Sequence, residues 1–95
     1  MTFAGAKAHI RGVVQGVGFR YWCLRKAREF GINGYVCNMP DGSVEIKAEG
    51  ERGLVDDFLK EVRIGPAYAN VTDINIDWYN TPQGFEDFII RHGEY

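Results

Sequence analysis

Residues 7–30 read KAHIRGVVQGVGFRYWCLRKAREF, and the hydrophobic period changes partway along. From Lys7 to Gln15 the pattern alternates. Ala8, Ile10, Gly12 and Val14 share one face; Lys7, His9, Arg11, Val13 and Gln15 share the other. A period of two predicts a half-buried strand. From Phe19 onward the apolar residues Phe19, Trp22, Cys23, Ala27 and Phe30 fall at helical spacing, with Arg25, Lys26, Arg28 and Glu29 mostly off that stripe. Gly31 supplies a helix stop. A strand therefore passes into an amphipathic helix through a turn built on Gly16 and Gly18.

The rest of the chain extends this pattern. GYVCN at 34–38 reads as a second strand and MPDG at 39–42 as a tight turn, with Pro40 fixing one backbone angle and Gly42 closing it. SVEIKAE at 43–49 alternates again. Leu54, Val55, Phe58, Leu59 and Val62 mark a second helix, opened by GERG and broken by GPA at 65–67. NVTDINIDWY at 70–79 is a fourth strand, TPQG a loop, and FEDFIIR at 85–91 a shorter final strand. The order β-α-β-β-α-β plus one strand is an α+β pattern, the split β-α-β arrangement of the ferredoxin-like sandwich. It predicts two helices on one face of an antiparallel sheet. The first two strands run parallel, with the third between them. The turn at 15–20 and Asn38 then meet at one edge of the sheet.

Ninety-five residues suit a single domain over 1–95, with 45% hydrophobic and 25% charged residues. A net charge of −2 argues against nucleic acid or an anionic membrane as a partner held by bulk charge. No apolar run approaches the roughly 18 residues that a membrane span needs. The start MTFAGAKAHI lacks the build of a secretory signal. Two cysteines without an oxidising context predict reduced thiols and a cytoplasmic location. Nothing marks an oligomer interface, so a monomer is expected.

The chemistry concentrates in the turn. Gly16 and Gly18 can adopt backbone angles closed to other residues, so successive amides can point into one concavity. A helix N-terminus follows and adds partial positive charge. Arg20, in the first turn, offers a planar fork of donors suited to phosphate or carboxylate. Taken alone, the loop reads equally well as a glycine-rich turn followed by a surface arginine. It is neither a dinucleotide fingerprint, since Tyr21 stands where the third glycine belongs, nor a Walker loop, since the glycine-lysine-serine/threonine triplet is missing.

GVVQGVGFR at 12–20, followed by GYVCNMPDGSVEIKAEG at 34–50, resembles the acylphosphatase family. The resemblance covers essentially the whole chain, including the GP after the second helix. It implies an enzyme that hydrolyses the carboxyl-phosphate bond of acyl phosphates. The implied phosphate site comprises the amides of Gln15, Gly16, Val17, Gly18 and Phe19 together with Arg20, and the asparagine that positions the attacking water is Asn38. Arg20 and Asn38 are thus the implied catalytic residues. Where the family often has a basic residue before that asparagine, this chain has Cys37. An acyl phosphate releases a carboxylate, a weak base that departs without a proton, so no general acid is required. Binding the phosphoryl group, spreading its charge and holding a water in line suffice. No cofactor is implied. Inorganic phosphate and sulfate are expected at the same site.

Other residues read more plainly. His9 and His92 lack ligand spacing with each other or with the cysteines, so surface histidines are expected and no metal. Cys23, Trp22 and Phe30 read as core, Cys37 as a small strand residue, and Asp41 as a turn residue. Arg25, Lys26 and Arg28 read as a solvated helix face. A rival reading comes from the RNA-recognition fold, which has the same element order. That module stacks bases on aromatics of its first and third strands, and KAHIRGVV and SVEIKAE contain none. A second rival is an acyl-phosphate or anion-binding domain of the same fold within a larger maturation enzyme. The initial Met and the short tail after the last strand favour the free-standing enzyme.

Overall fold

The computed structural model describes residues 2–92. Its elements are β1 (Phe3–Val13), α1 (Phe19–Phe30), β2 (Asn33–Asn38), β3 (Val44–Glu51), α2 (Arg52–Ile64), β4 (Asn70–Tyr79) and β5 (Phe88–Arg91). They form one five-stranded sheet in the order β4-β1-β3-β2-β5. β1 pairs antiparallel with both β3 and β4, and β2 antiparallel with β3, while β5 lies parallel to β2. The sheet is therefore mixed rather than antiparallel throughout. The fold is a ferredoxin-like sandwich.

Both helices pack on one face, α1 over β2 and β5, α2 over β1, β3 and β4. The alternation in β1 holds through the buried Ala8 and Ile10. A register shift between Arg11 and Gly12 then leaves Gly12 exposed. Val14, just past the strand, is buried, as are Phe19, Cys23 and Ala27 on α1. Val36, Val44, Ile46, Val55, Phe58 and Phe88 complete the same core. Burying a side chain such as Phe58 contributes about 2–3 kcal/mol.

The opposite face explains the direction of β5. β4 and β5 occupy opposite edges of the sheet, so residues 80–87 must cross it. Glu49 accepts from the Tyr79 hydroxyl at 2.6 Å and from the Gln83 amide at 3.1 Å. Lys47 Nζ donates to Gln83 Oε1 at 2.7 Å, and the Phe85 ring meets Tyr35 edge-on at 5.9 Å. β4 ends opposite Gly5, near the start of β1. The crossing thus delivers the chain to the end of the sheet where β2 begins, and β5 then runs alongside β2. β1, β2 and β5 all finish at one edge.

Candidate active site

That shared edge gathers the turn after β1, Asn38 at the end of β2, and Arg91 and His92 at the end of β5. Gly16 has φ 73° and Gly18 φ 74°, both left-handed, while Val17 between them does not. A Cβ on Gly16 would meet nothing within 4 Å, so the backbone angle and not crowding calls for glycine there. Such alternation turns neighbouring amides into one concavity. Gly18 is also the N-cap of α1. No side chain caps this helix and no acid stands in its first turn. The first helical bond runs from the Trp22 amide to the Gly18 carbonyl at 3.1 Å, so the amides of Phe19, Arg20 and Tyr21 precede the helical ladder.

Each expected residue has a definite position. Phe19 is fully buried, so its side chain belongs to the core and only its amide belongs to the turn. Arg20 is half-buried in the first helical turn. Asn38 ends β2 facing the helices, as does its neighbour on β3, the buried Val44. Its Oδ1 is, among the described residues, the one buried side-chain nitrogen or oxygen without a hydrogen-bond partner. An unpaired buried acceptor costs about 1–3 kcal/mol.

The Gln15 side chain has a role of its own, beside that expected of its backbone amide. Its side-chain amide donates to the Met39 carbonyl at 2.9 Å and to the Ser43 carbonyl at 2.8 Å. Both of its donor hydrogens are thus used on the 39–43 turn. The side chain ties the glycine turn to the segment that follows Asn38, while the backbone amide stays in the loop. Asp41 accepts from the Ser43 amide and hydroxyl, which makes it the turn residue expected. These bonds hold its carboxyl below the usual range.

Two residues went unrecognised in the sequence. His92, expected at the surface and indeed exposed, brings Nδ1 to 3.4 Å from an Arg20 guanidinium nitrogen. Arg91 stands opposite Cys37 in the β2–β5 register, with its guanidinium 4.3 Å from the Tyr35 ring centroid. Burial raises the Cys37 thiol above its ordinary value; Glu45 adds to the rise, and Arg91 and Arg20 oppose it. The positive charge felt at position 37 therefore comes from β5 and α1. Neither contact was visible in the sequence, because only the parallel insertion of β5 brings residues 91 and 92 to this edge.

Elsewhere, Cys23 and Cys37 are both buried free thiols. Burial also drives Cys23 far up from its usual value. Lys26 pairs with Glu61 at 3.6 Å and Arg28 with Asp87 at 3.2 Å, so part of the α1 basic face is occupied. An open groove of about 550 Å³ runs beside it, lined by Tyr21, Leu24, Arg25, Arg28 and Glu29. It contains no residue of the 15–20 turn or of β2. Among the described residues no three of His, Cys, Asp or Glu gather as metal ligands, and no helix is long and apolar enough to cross a membrane.

The uncapped helix start and the Arg20 guanidinium at this sheet edge are donors of the kind that can bind a small oxyanion, and the Asn38 Oδ1 beside them is an acceptor. The sequence model of the acylphosphatase family matches residues 6–90. A Thermotoga petrophila acylphosphatase is 49% identical over 86 residues, which is 90% of this chain and 94% of that protein. The crystal structure of acylphosphatase from Bacillus subtilis superposes with a TM-score of 0.90 at 35% identity, covering 93% of this chain and 98% of that one. The crystal structure of T. kodakarensis HypF also matches, with a TM-score of 0.83 and 31% identity, but over 96% of this chain and only 12% of that one. The chain belongs to the acylphosphatase family.

Proposed function

We propose that the amides of residues 15–19 and the Arg20 guanidinium hold the phosphoryl group of an acyl phosphate while Asn38 orients the attacking water. The activity is acylphosphatase hydrolysis, in which acyl phosphate and water give a carboxylate and inorganic phosphate. The water oxygen bonds to phosphorus, and the bond from phosphorus to the acyl oxygen breaks with its electron pair going to the carboxylate. One water proton stays on the attacking oxygen and the other passes to a phosphoryl oxygen, so both end on the phosphate product. In a loose transition state charge spreads over the equatorial phosphoryl oxygens, where fixed amides and a guanidinium stabilise it.

The observation that carries this reading is the Asn38 carbonyl oxygen, buried and without a partner. A water that donates to Oδ1 satisfies it and is fixed in position at the same time. The donors need no metal, since Arg20 and the amides supply the positive charge. Inorganic phosphate and sulfate compete for the same cradle. Matched lengths in the Thermotoga petrophila relative support residues 1–95 as a single acylphosphatase-like domain. The buried, unbridged thiols support a reducing cytoplasm, and we read the protein as a monomer with no nucleic-acid partner. The HypF likeness keeps a second reading in view, a domain of this fold that binds acyl phosphates within a longer chain. Phosphate release from acetyl phosphate, with an aryl phosphate monoester as control, tests the proposal. Turnover of the acyl phosphate with the monoester near background is the expected result. Equal rates would point to a general acid, and no release from acetyl phosphate would favour the binding domain.

A further inference from the structure

The strand order places different chemistry on the two flanks of the glycine turn. The turn leaves β1, Asn38 lies on the β2 side, and the 65–69 turn that leads into β4 lies on the other. That second turn is packed onto the cradle. A Cβ on Gly18 would stand 3.8 Å from Tyr68 Cε2, and one on Gly65 would stand 3.7 Å from Phe19 Cε1. Its ends are fixed: the Gly65 amide donates to the Glu61 carbonyl at 2.9 Å, and the Ala69 amide to the Pro66 carbonyl at 3.0 Å. Ala69 packs against the core. Tyr68, between these anchors, is 60% exposed, and Val13, paired with Asn70 nearby, is 56% exposed. A large aromatic held in water beside a phosphoryl cradle presents a face to whatever the phosphoryl group carries.

In-line displacement puts the attacking and leaving oxygens on opposite sides of phosphorus. With the water on the Asn38 flank, the acyl group departs on the Tyr68 flank. We propose that Tyr68, with Val13 beside it, forms an acyl subsite that favours acyl phosphates bearing an aromatic or large apolar acyl group. This inference rests on the catalytic reading above and adds a substrate class to it. The Tyr68 ring offers offset or edge-on contact to an aryl acyl group and nothing comparable to a methyl group. The Arg91 and His92 flank remains the polar side.

The test compares kcat/KM for benzoyl phosphate and acetyl phosphate in the native protein, Tyr68→Ala and Tyr68→Phe. Comparing the benzoyl-to-acetyl ratio between variants cancels the substrates' intrinsic difference in reactivity. The benzoyl-to-acetyl ratio is expected to fall about fivefold in Tyr68→Ala, the size of one aromatic contact, and to hold in Tyr68→Phe. An unchanged ratio in Tyr68→Ala, with both substrates still hydrolysed, overturns the subsite and leaves the catalytic reading intact. A native protein that hydrolyses neither substrate overturns the catalytic reading itself.

Discussion

The chain passes from strand to helix twice, and the two junctions are built in opposite ways. At the start of α2, Glu51 adopts an extended conformation and its carboxylate accepts from the Leu54 amide at 3.2 Å. The Arg52 amide is taken by the Thr2 carbonyl at 2.8 Å. That helix end is closed by the protein's own acceptors, including a negative charge that suits the helix dipole. At the start of α1 the N-cap is a left-handed glycine, with no side-chain cap and no acid in the first turn. A cation, Arg20, stands there instead. The same fold element is a finished structural joint in one place and is left open in the other, where we propose that the anion binds. The proposed functional end is the one where the chain withholds its own cap.

The largest expected effect comes from removing the cation at the open junction. Arg20→Ala should lower kcat/KM by about a thousandfold, because charge-assisted bonds to a phosphoryl group are lost where few others compensate. Circular dichroism should show the fold intact, since Arg20 is not part of the core cluster. Arg20→Lys should remain poor, as a point charge cannot reproduce the planar fork. A lysine variant of near-native activity would reduce the role to net charge.

Asn38 comes next. In Asn38→Ala, kcat should fall about a hundredfold while phosphate inhibition stays close to native, because the orienting group is lost and the cradle is kept. Asn38→Asp should weaken phosphate inhibition and stay nearly inactive at neutral pH, through repulsion between carboxylate and phosphoryl charge. An active aspartate variant would make position 38 a base. An alanine variant that lost phosphate inhibition as severely as Arg20→Ala would make Asn38 part of the cradle.

The smallest effect belongs to the closed junction. Glu51→Ala should cost about 1 kcal/mol of stability, read as a lower Tm, with kcat/KM unchanged. A loss of activity there would break the contrast between the two helix starts.

The sequence disclosed the two junctions unequally. α1 and β4 appear in the structure with the bounds their patterns implied, because each carries one clear period. β1 starts at Phe3 rather than Lys7. Ala4, Gly5 and Ala6 are all buried and small, so no alternation marks them, and Gly5 lies against the Tyr79 ring where a Cβ would collide. β5 starts at Phe88 rather than Phe85. Phe85 is apolar because it packs on Tyr35 from the crossing segment, a contact that imitates a strand residue in the sequence. The parallel pairing of β5 depends on that crossing, and no local pattern encodes it. The candidate site divides along the same line. Gly16, Gly18, Arg20 and Asn38 were legible from two short motifs. The Gln15 side-chain bonds, the Arg20–His92 contact, Arg91 opposite Cys37 and Tyr68 beside Gly18 are all long-range consequences of topology.

The central claim is that the uncapped start of α1 receives the phosphoryl group. Titration of the 15N-labelled protein with inorganic phosphate, followed through backbone amide shifts, tests it most directly. The account predicts saturable shifts centred on Gly16 to Arg20, with the amides of Arg52, Gly53 and Leu54 at the closed junction unmoved. Shifts of equal size at both helix starts, or centred away from residues 15–20, would contradict it.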